Sequence, residues 1–310
     1  MSTSYGDPYV GRFAPSPTGP LHFGSMVAAL ASYLDAKAHN GQWLVRIEDV
    51  DETRCKSEFA DDILRTLLSF GLQWDGEVLL QSQRKPAYEQ ALARLSSQSH
   101  IYACGCSRKE IADSATAGIE GPVYPGTCRY QPRHQPIDRR AVPHAIRVLT
   151  HNDPIIFTDS IQDEYTQRIE SAIGDFIIKR RDGLFAYQLA VVVDDAAQGI
   201  THVVRGADLI DSTARQIHLQ HLLALPTPRY LHIPVVTNAA GQKLSKQTLA
   251  AGIPTVSVNR VLIHALTHLQ QTTAALTEQM PTSRLLQLAT AHWQIATIPK
   301  ARAIPLLEIC

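Results

Sequence analysis

Residues 9–25 read YVGRFAPSPTGPLHFGS, and this stretch sets how the fold begins. The residues up to Phe13 suit a strand, segment 14–20 is rich in proline and glycine, and apolar residues then recur at helical spacing as far as Leu34. The pattern predicts a strand, a loop and a helix, with Ser25 as the expected N-cap. A helix start presents unpaired N–H groups that attract phosphate, although the same residues would also suit an ordinary tight turn.

Strand-like and helix-like patterns alternate through most of the remaining chain. Short apolar runs predict strands, and apolar residues three or four positions apart predict amphipathic helices. The predicted strands lie at 44–47, 188–193 and 202–204, and the predicted helices at 59–70, 88–95, 217–223, 261–269 and 285–288. This alternation predicts an α/β protein with a Rossmann-type, doubly wound parallel sheet, whose ligands bind beyond the carboxyl ends of the strands.

The composition indicates a folded chain with balanced charge. Of its 310 residues 45% are hydrophobic, enough for a sizeable core, and 29 Lys and Arg balance 29 Asp and Glu. Any positive charge that binds nucleic acid must therefore be local. The first ten residues do not resemble an export signal, and no apolar run reaches the roughly 20 residues that cross a bilayer. We expect a cytoplasmic, monomeric protein that does not enter membranes.

Three of the five cysteines lie close enough in sequence to predict a metal site. Cys104, Cys106 and Cys128 would provide the soft thiolate ligands that tetrahedral zinc prefers. The single residue between the first two is tighter than the usual spacing, so three free cysteines in a loop remain the alternative. The fourth ligand stays open on chemical grounds, because His100 and His134 are better zinc ligands than a phenol.

Two short motifs carry a family resemblance. Residues 22–25 (HFGS) stand where class I aminoacyl-tRNA synthetases have their HIGH signature, and residues 243–247 (KLSKQ) stand where they have KMSKS. Further matches in the same order are RIED at 46–49, WD at 74–75, QS at 81–82, RDG at 181–183, VDD at 193–195 and HVVRG at 202–206. The chain therefore resembles the glutamate type of this class, which commonly lacks the second histidine, here replaced by Ser25.

The resemblance implies which residues form the site. For glutamate it implies Arg12, Phe13, Ala14, Pro15, Ser16, Glu48, Tyr187 and Arg205. For ATP it implies His22, Gly24, Ser25 and Lys246, with His22, Lys243 and Lys246 as the catalytic residues, and it adds Tyr124 to the three cysteines as a zinc ligand. The chemistry agrees, because arginine pairs with carboxylates and Glu48 can pair with an ammonium group. Taken alone, Glu48 or Arg205 would suit a structural ion pair equally well.

The short distance from the second motif to the end of the sequence suggests a particular subgroup. Only residues 248–310 follow the KLSKQ motif, too few for the large helical anticodon-binding region of a full glutamyl-tRNA synthetase. The chain is thus similar to the truncated glutamyl-queuosine tRNA(Asp) synthetases. That resemblance implies ATP with Mg²⁺, L-glutamate and a queuosine-containing tRNA(Asp) as partners, with glutamate first adenylated without tRNA. Another acceptor, a small-molecule ligase and a noncatalytic RNA-binding paralogue remain alternatives.

The same comparison divides the chain into four expected parts. Residues 1–100 form the first half of the catalytic domain, and 101–186 form an inserted, zinc-containing module that contacts tRNA. Residues 187–250 form the second half with the KLSKQ motif, and 251–310 form a short helical region. Within the insertion, Arg133, Arg139 and Arg140 would either face solvent or hold RNA phosphates.

Overall fold

The computed structural model of the chain describes residues 8–119, 121–129, 144–238, 241–244, 253 and 257–306. The strands are β1 (Val10–Phe13), β2 (Gln42–Ile47), β3 (Leu79–Leu80), β4 (Ile101–Cys104), β5 (Ala117–Gly118), β6 (Gly121–Pro122), β7 (Ala145–Val148), β8 (Ile155–Asp159), β9 (Asp163–Gln167), β10 (Ile177–Lys179), β11 (His202–Gly206), β12 (Arg229–Ile233), β13 (Val235–Thr237) and β14 (Ala303–Pro305). The helices are α1 (Phe23–Ala38), α2 (Ser57–Ser69), α3 (Lys85–Ser97), α4 (Arg108–Ser114), α5 (Ile169–Ala172), α6 (Tyr187–Ala197), α7 (Ile210–Leu222), α8 (Val258–His268) and α9 (Thr282–Ala291). Short 3₁₀ turns lie at Gln81–Arg84, Ala207–Leu209 and Ile295–Thr297.

The predicted parallel sheet is confirmed and consists of two groups of strands. In the first group β2 lies between β1 and β3, and in the second β11 pairs with β12, in each case in parallel. The N–H of Thr201 donates to the carbonyl of Val10 at 2.9 Å, which places the start of β11 beside the start of β1. Because all these strands are parallel, their carboxyl ends meet at one edge.

Helix α1 lies at the centre of the main hydrophobic core. Its buried face, with Met26 and Leu30 at 0% exposure, packs with Trp43 of β2, and Leu262 of α8 and Leu285 of α9 belong to the same cluster. The helix begins at Phe23, and its N-cap is His22, so the prediction of Ser25 as the cap is wrong. The His22 ring can accept the backbone N–H three residues ahead, which places the cap earlier. Among the described residues, no helix is long and apolar enough to cross a membrane.

One predicted strand is a helix. Residues 188–193 lie within α6, where Leu189, Ala190, Val191 and Val192 are all at most 2% exposed. A helix that is buried on nearly every side shows no amphipathic period, so its apolar run looks like that of a buried strand. The correction matters for the site, because α6 carries the buried carboxylate Asp195.

The segment between β3 and α6 contributes strands to three sheets, the smallest of which is the antiparallel pair of β5 and β6. Strands β4, β7 and β10 form an antiparallel sheet with β7 in the middle. The β8–β9 hairpin instead joins β12, through the pairing of Asp159 with Tyr230, and thus extends the parallel sheet. Arg133, His134, Arg139 and Arg140 lie outside the described residues.

Candidate active site and cysteine cluster

A cavity of about 450 Å³ opens at the carboxyl edge of the parallel sheet. All the residues predicted to bind glutamate line it, namely Arg12, Phe13, Ala14, Pro15, Ser16, Glu48, Tyr187 and Arg205. His22, Gly24, Ser25 and Lys243 line it too, whereas Lys246 lies outside the described residues. The loop after β1 is held against the end of β2, because the N–H of Glu48 donates to the carbonyl of Pro15 at 3.0 Å.

Two arginines and two carboxylates form a buried series of ion pairs that reaches the cavity at Arg12 and Glu48. Asp195 Oδ1 lies 3.1 Å from Nε of Arg12 and 2.7 Å from a terminal nitrogen of Arg46. The other terminal nitrogen of Arg46 lies 3.2 Å from Oε1 of Glu48. All four residues are at most 9% exposed. These ion pairs fix Arg12 and Glu48 in place, because each charged side chain is held by its neighbour.

The pKa values of the two buried carboxylates, Glu48 and Asp195, are shifted in opposite directions. Burial raises the pKa of Glu48, and the opposing attraction of Arg46 and Arg12 does not cancel the shift. Burial would also raise the pKa of Asp195, but Arg12 and Arg46 outweigh it and hold this pKa below the ordinary carboxyl value. Asp195 therefore stays ionised at lower pH than Glu48, which matches one direct arginine partner for Glu48 and two for Asp195.

Arg205 reaches the cavity from the end of β11 with most of its donors already used. Its Nε donates to His232, and one terminal nitrogen donates to Thr213 Oγ1 at 2.9 Å and to the carbonyl of Leu209 at 3.4 Å. The other terminal nitrogen donates to the hydroxyl of Tyr187 at 3.4 Å. Since a guanidinium has five N–H groups, one donor beside Tyr187 is left for a ligand.

His22 and Ser25 meet at the start of α1, where the cavity borders a helix N-terminus. The backbone N–H of Ser25 donates to Nδ1 of His22 at 3.2 Å, and the Ser25 hydroxyl lies 3.1 Å from Nε2. A side chain on Gly24 would place Cβ 3.3 Å from the His22 ring and 3.8 Å from the carbonyl of Leu244. Only the approach to the ring is tighter than an ordinary contact, so glycine lets the histidine ring lie against the start of α1.

Lys243 closes one side of the cavity through an ion pair. Its Nζ lies 2.5 Å from Oδ2 of Asp208, which follows β11, and both residues line the cavity. The N–H of Leu244 donates to the carbonyl of Val236 at 2.8 Å, so the segment is attached to β13. The start of the KLSKQ motif is thus held against the strand ends.

The three clustered cysteines do meet in space. The ligand atoms of Cys104, Cys106 and Cys128 all lie within 4.8 Å of one another, with Cys106 Sγ 3.5 Å from Cys128 Sγ. Tyr124 completes the group, because its hydroxyl lies 3.4 Å from Cys104 Sγ and 3.7 Å from Cys106 Sγ. His100 precedes β4, the strand that ends at Cys104, so an extended stretch separates the two residues by about 13 Å.

The sequence patterns missed several buried partners of the cavity residues. Arg46 and Asp195 lie within quoted motifs, but nothing in their sequence neighbourhood assigns them to Glu48 and Arg12. Asp159 and His232, which lie behind Arg205, were missed completely. One signal in the sequence could have identified His232. It is a polar residue near the end of the short apolar run of β12, and the sites of parallel sheets lie where strands end.

The comparison with protein families assigns the fold and the site to one class. The family model described as "tRNA synthetases class I (E and Q), catalytic domain" matches residues 9–273. The chain belongs to this family and is an enzyme, a ligase of the aminoacyl-tRNA synthetase type.

Within this class, the chain is similar to glutamyl-Q tRNA(Asp) synthetases. It is 52% identical to the glutamyl-Q tRNA(Asp) synthetase of Aromatoleum aromaticum, over 94% of this chain and 91% of the relative. It is 51% identical to the glutamyl-Q tRNA(Asp) synthetase of Cupriavidus metallidurans, over 95% of this chain and 96% of the relative. The glutamate–tRNA synthetase structure from Elizabethkingia anophelis matches with a TM-score of 0.79 at 22% identity, over 96% of this chain and 68% of that one. The last likeness shows that the fold is shared with a longer enzyme.

Proposed function

We propose that the chain activates L-glutamate with ATP and Mg²⁺, without tRNA, and then transfers glutamate to the cyclopentenediol of queuosine in the anticodon of tRNA(Asp). One observation carries this proposal. Arg12, Glu48 and Arg205 line a single cavity that also contains His22 at a helix N-terminus. The names of the relatives state the product, glutamyl-Q tRNA(Asp), and therefore point to the Q nucleoside of tRNA(Asp) as the acceptor.

The charges of the cavity suit glutamate. Arg12 and Arg46 are balanced by Asp195 and Glu48, and Lys243 is balanced by Asp208. Arg205 adds one positive charge, since it makes no contact with a carboxylate among the described residues. A carboxylate of glutamate can therefore act as the direct partner that Arg205 lacks within the described part of the chain. In this proposal Glu48 pairs with the ammonium group and Arg205 pairs with a carboxylate.

Activation requires a glutamate α-carboxylate oxygen to attack the α-phosphorus of ATP. The bond from that phosphorus to the bridging oxygen breaks, and pyrophosphate leaves. His22 and the first turn of α1 would lie along the phosphates, whereas Lys243 and Lys246 would balance the charge that develops on the leaving group. The carboxylates that line the cavity, Glu48 and Asp208, are both engaged in ion pairs, so Mg²⁺ would enter with ATP as part of the substrate.

Transfer then needs only a vicinal diol near the activated carbonyl. A hydroxyl of the diol attacks the carbonyl carbon, the bond to AMP breaks, and an ester forms. The cyclopentenediol of queuosine resembles the ribose diol of a terminal adenosine, so the same site geometry serves either acceptor. Which of the two the enzyme uses is decided by the part of the tRNA that enters the cavity.

The cysteine cluster suits one structural zinc ion. Four ligands at about 2.3 Å in a tetrahedron lie roughly 3.8 Å apart. Three separations in the cluster are 3.4–3.7 Å, and the three sulfur atoms all lie within 4.8 Å of one another, which suits such a site. Cys104, Cys106, Cys128 and Tyr124 would hold the ion, which would tie β4 to the 124–128 segment. The four-part division of the chain, the tRNA-contacting role of the insertion and the monomeric state belong to the same proposal.

The decisive experiment separates activation from the choice of acceptor. Glutamate-dependent exchange of pyrophosphate into ATP, measured without tRNA and compared with glutamine and aspartate, tests the first step. Transfer of labelled glutamate to tRNA(Asp) with and without queuosine tests the second, and tRNA lacking its terminal adenosine serves as the control. Charging that needs queuosine and survives removal of that adenosine supports the proposal. Equal charging of queuosine-free glutamate tRNA at its terminal ribose refutes the proposed acceptor.

A further inference from the structure

A buried histidine and aspartate lie directly behind Arg205. Arg205 and His232 are register partners on the neighbouring strands β11 and β12, and Nε of Arg205 lies 3.0 Å from Nε2 of His232. On the other side of the ring, Nδ1 lies 2.6 Å from Oδ2 of Asp159, the last residue of β8. His232 is 0% exposed and Asp159 is 1% exposed. The three side chains form a line from the β8 end to the cavity.

The hydrogen bonds determine the tautomer of His232. An arginine Nε–H can only donate, so Nε2 of His232 must accept and the ring proton must be on Nδ1. That proton is donated to Asp159, which stays ionised because its pKa is lowered despite burial. Burial lowers the pKa of His232 to about 4, so the ring is neutral at physiological pH. A protonated or flipped ring would present a second N–H to Arg205 in place of an acceptor.

The arrangement keeps the charge of Arg205 available to a ligand. Arg12 contacts Asp195 directly, at 3.1 Å, and so its charge is largely compensated within the protein. Arg205 is separated from Asp159 by the neutral imidazole, which orients the guanidinium without neutralising it. The neutral Thr213 hydroxyl and Leu209 carbonyl accept from the same guanidinium.

We propose that Asp159 and His232 are positioning residues for substrate recognition, which fix the tautomer that aims Arg205 at a carboxylate of glutamate. The inference rests on the proposed function. It also gives the β8–β9 hairpin a role in the active site, although this hairpin lies in sequence within the predicted insertion.

Asp159→Asn is the sharpest test, because the fixed neighbours decide how the new amide turns. Oδ1 of Asp159 accepts the backbone N–H groups of Ile161 and Gln162, at 3.0 and 2.9 Å, whereas the N–H of His232 approaches both oxygens almost equally, at 3.2 and 3.1 Å. The amide oxygen would occupy the Oδ1 position, which leaves the NH₂ group facing Nδ1 of His232. The ring would then carry its proton on Nε2, facing Arg205. We expect KM for glutamate to rise about tenfold to hundredfold, as for a weakened hydrogen bond to a charged group, with kcat and KM for ATP changed less than threefold.

Three further variants provide the controls. Asp175→Asn removes an equally buried carboxylate, 2% exposed and bonded to Thr150 rather than to the cavity, and should leave KM for glutamate unchanged. His232→Gln keeps one donor and one acceptor and should stay within a few-fold of wild type, whereas His232→Leu keeps neither and should match Asp159→Asn. Imidazole ¹⁵N spectra, with His232 assigned from its Gln variant, should show the proton on Nδ1 in wild type and on Nε2 in Asp159→Asn.

The outcomes are distinguishable. The inference is supported if KM for glutamate alone rises in Asp159→Asn and if KM for glutamate in His232→Gln stays near the wild-type value. An unchanged KM in a folded Asp159→Asn variant overturns it, and if that variant does not fold, equal KM values for His232→Leu and His232→Gln overturn it. A wild-type protein without glutamate-dependent exchange refutes the proposed function itself, and with it the role in recognition.

Discussion

The buried carboxylate of α6 offers the strongest single test of how the site is built. Asp195→Asn keeps the size of the side chain and one oxygen acceptor, but it removes the charge that Arg12 and Arg46 share at 3.1 and 2.7 Å. Because Asp195 and both arginines are at most 7% exposed, the two cations lose a compensating charge in a buried setting. Breaking such a pair costs about 3–5 kcal/mol, and we take about 3 kcal/mol because Asn retains a hydrogen bond.

This cost converts into a measurable change in thermal midpoint. The unfolding entropy of a 310-residue chain is roughly 0.65 kcal/mol/K, so 3 kcal/mol lowers the midpoint by about 5 °C. The effect should also depend on pH. Since the pKa of Asp195 is lowered in the folded state, its stabilisation is complete above the ordinary carboxyl pKa and is lost as pH falls through the lowered value. The difference between wild type and variant should therefore shrink in acid.

The assay is calorimetry on wild type, Asp195→Asn and the matched control Asp75→Asn. Asp75 has a comparable contact with Lys37, at 2.7 Å, but its side chain is 40% exposed, so its loss should cost less than about 1 kcal/mol. KM for glutamate should rise in Asp195→Asn, because Arg12 loses its anchor. Equal thermal midpoints for the two variants, with KM for glutamate unchanged in Asp195→Asn, would show that these buried ion pairs do not organise the site.

Three further predictions concern the groups that would handle substrates and metal. Lys246→Ala should slow glutamate-dependent exchange about a hundredfold or more, because a cation beside the leaving pyrophosphate is lost; a rate within a few-fold of wild type would reject that role. Because burial raises the pKa of Glu48, kcat/KM for glutamate should fall on acidification at a higher pH than an ordinary carboxylate would give. Glu48→Gln should abolish this step in a pH profile that extends down to the ordinary carboxyl pKa. Elemental analysis of protein purified without added metal should find one zinc per chain and less in Cys104→Ser, whereas metal-free protein that is folded and active would exclude the site.

Local sequence predicted the parts of the site that lie on short, continuous motifs. Arg12 on β1, Ser16 in the following loop and His22 before α1 all line the cavity, and prolines and glycines within seven residues encode the path between them. Helix α6 shows where such reasoning fails. Its apolar run suits a strand equally well, and only its burial on several sides, seen in the tertiary structure, accounts for the missing helical period.

What the sequence by itself determined is the class of fold, the order of the motifs and the residue types that can meet glutamate and ATP. What only the tertiary structure decided is which buried groups hold those residues. Arg12 and Asp195 are 183 positions apart, and His232 and Asp159 are 73 apart, yet each pair is in direct contact. For His232 and Asp159 the physical reason is that a parallel sheet brings strand ends together whatever their separation in sequence. For Arg12 and Asp195 the reason is that helix α6 packs with its carboxylate buried beside two arginines, where each charge compensates the other.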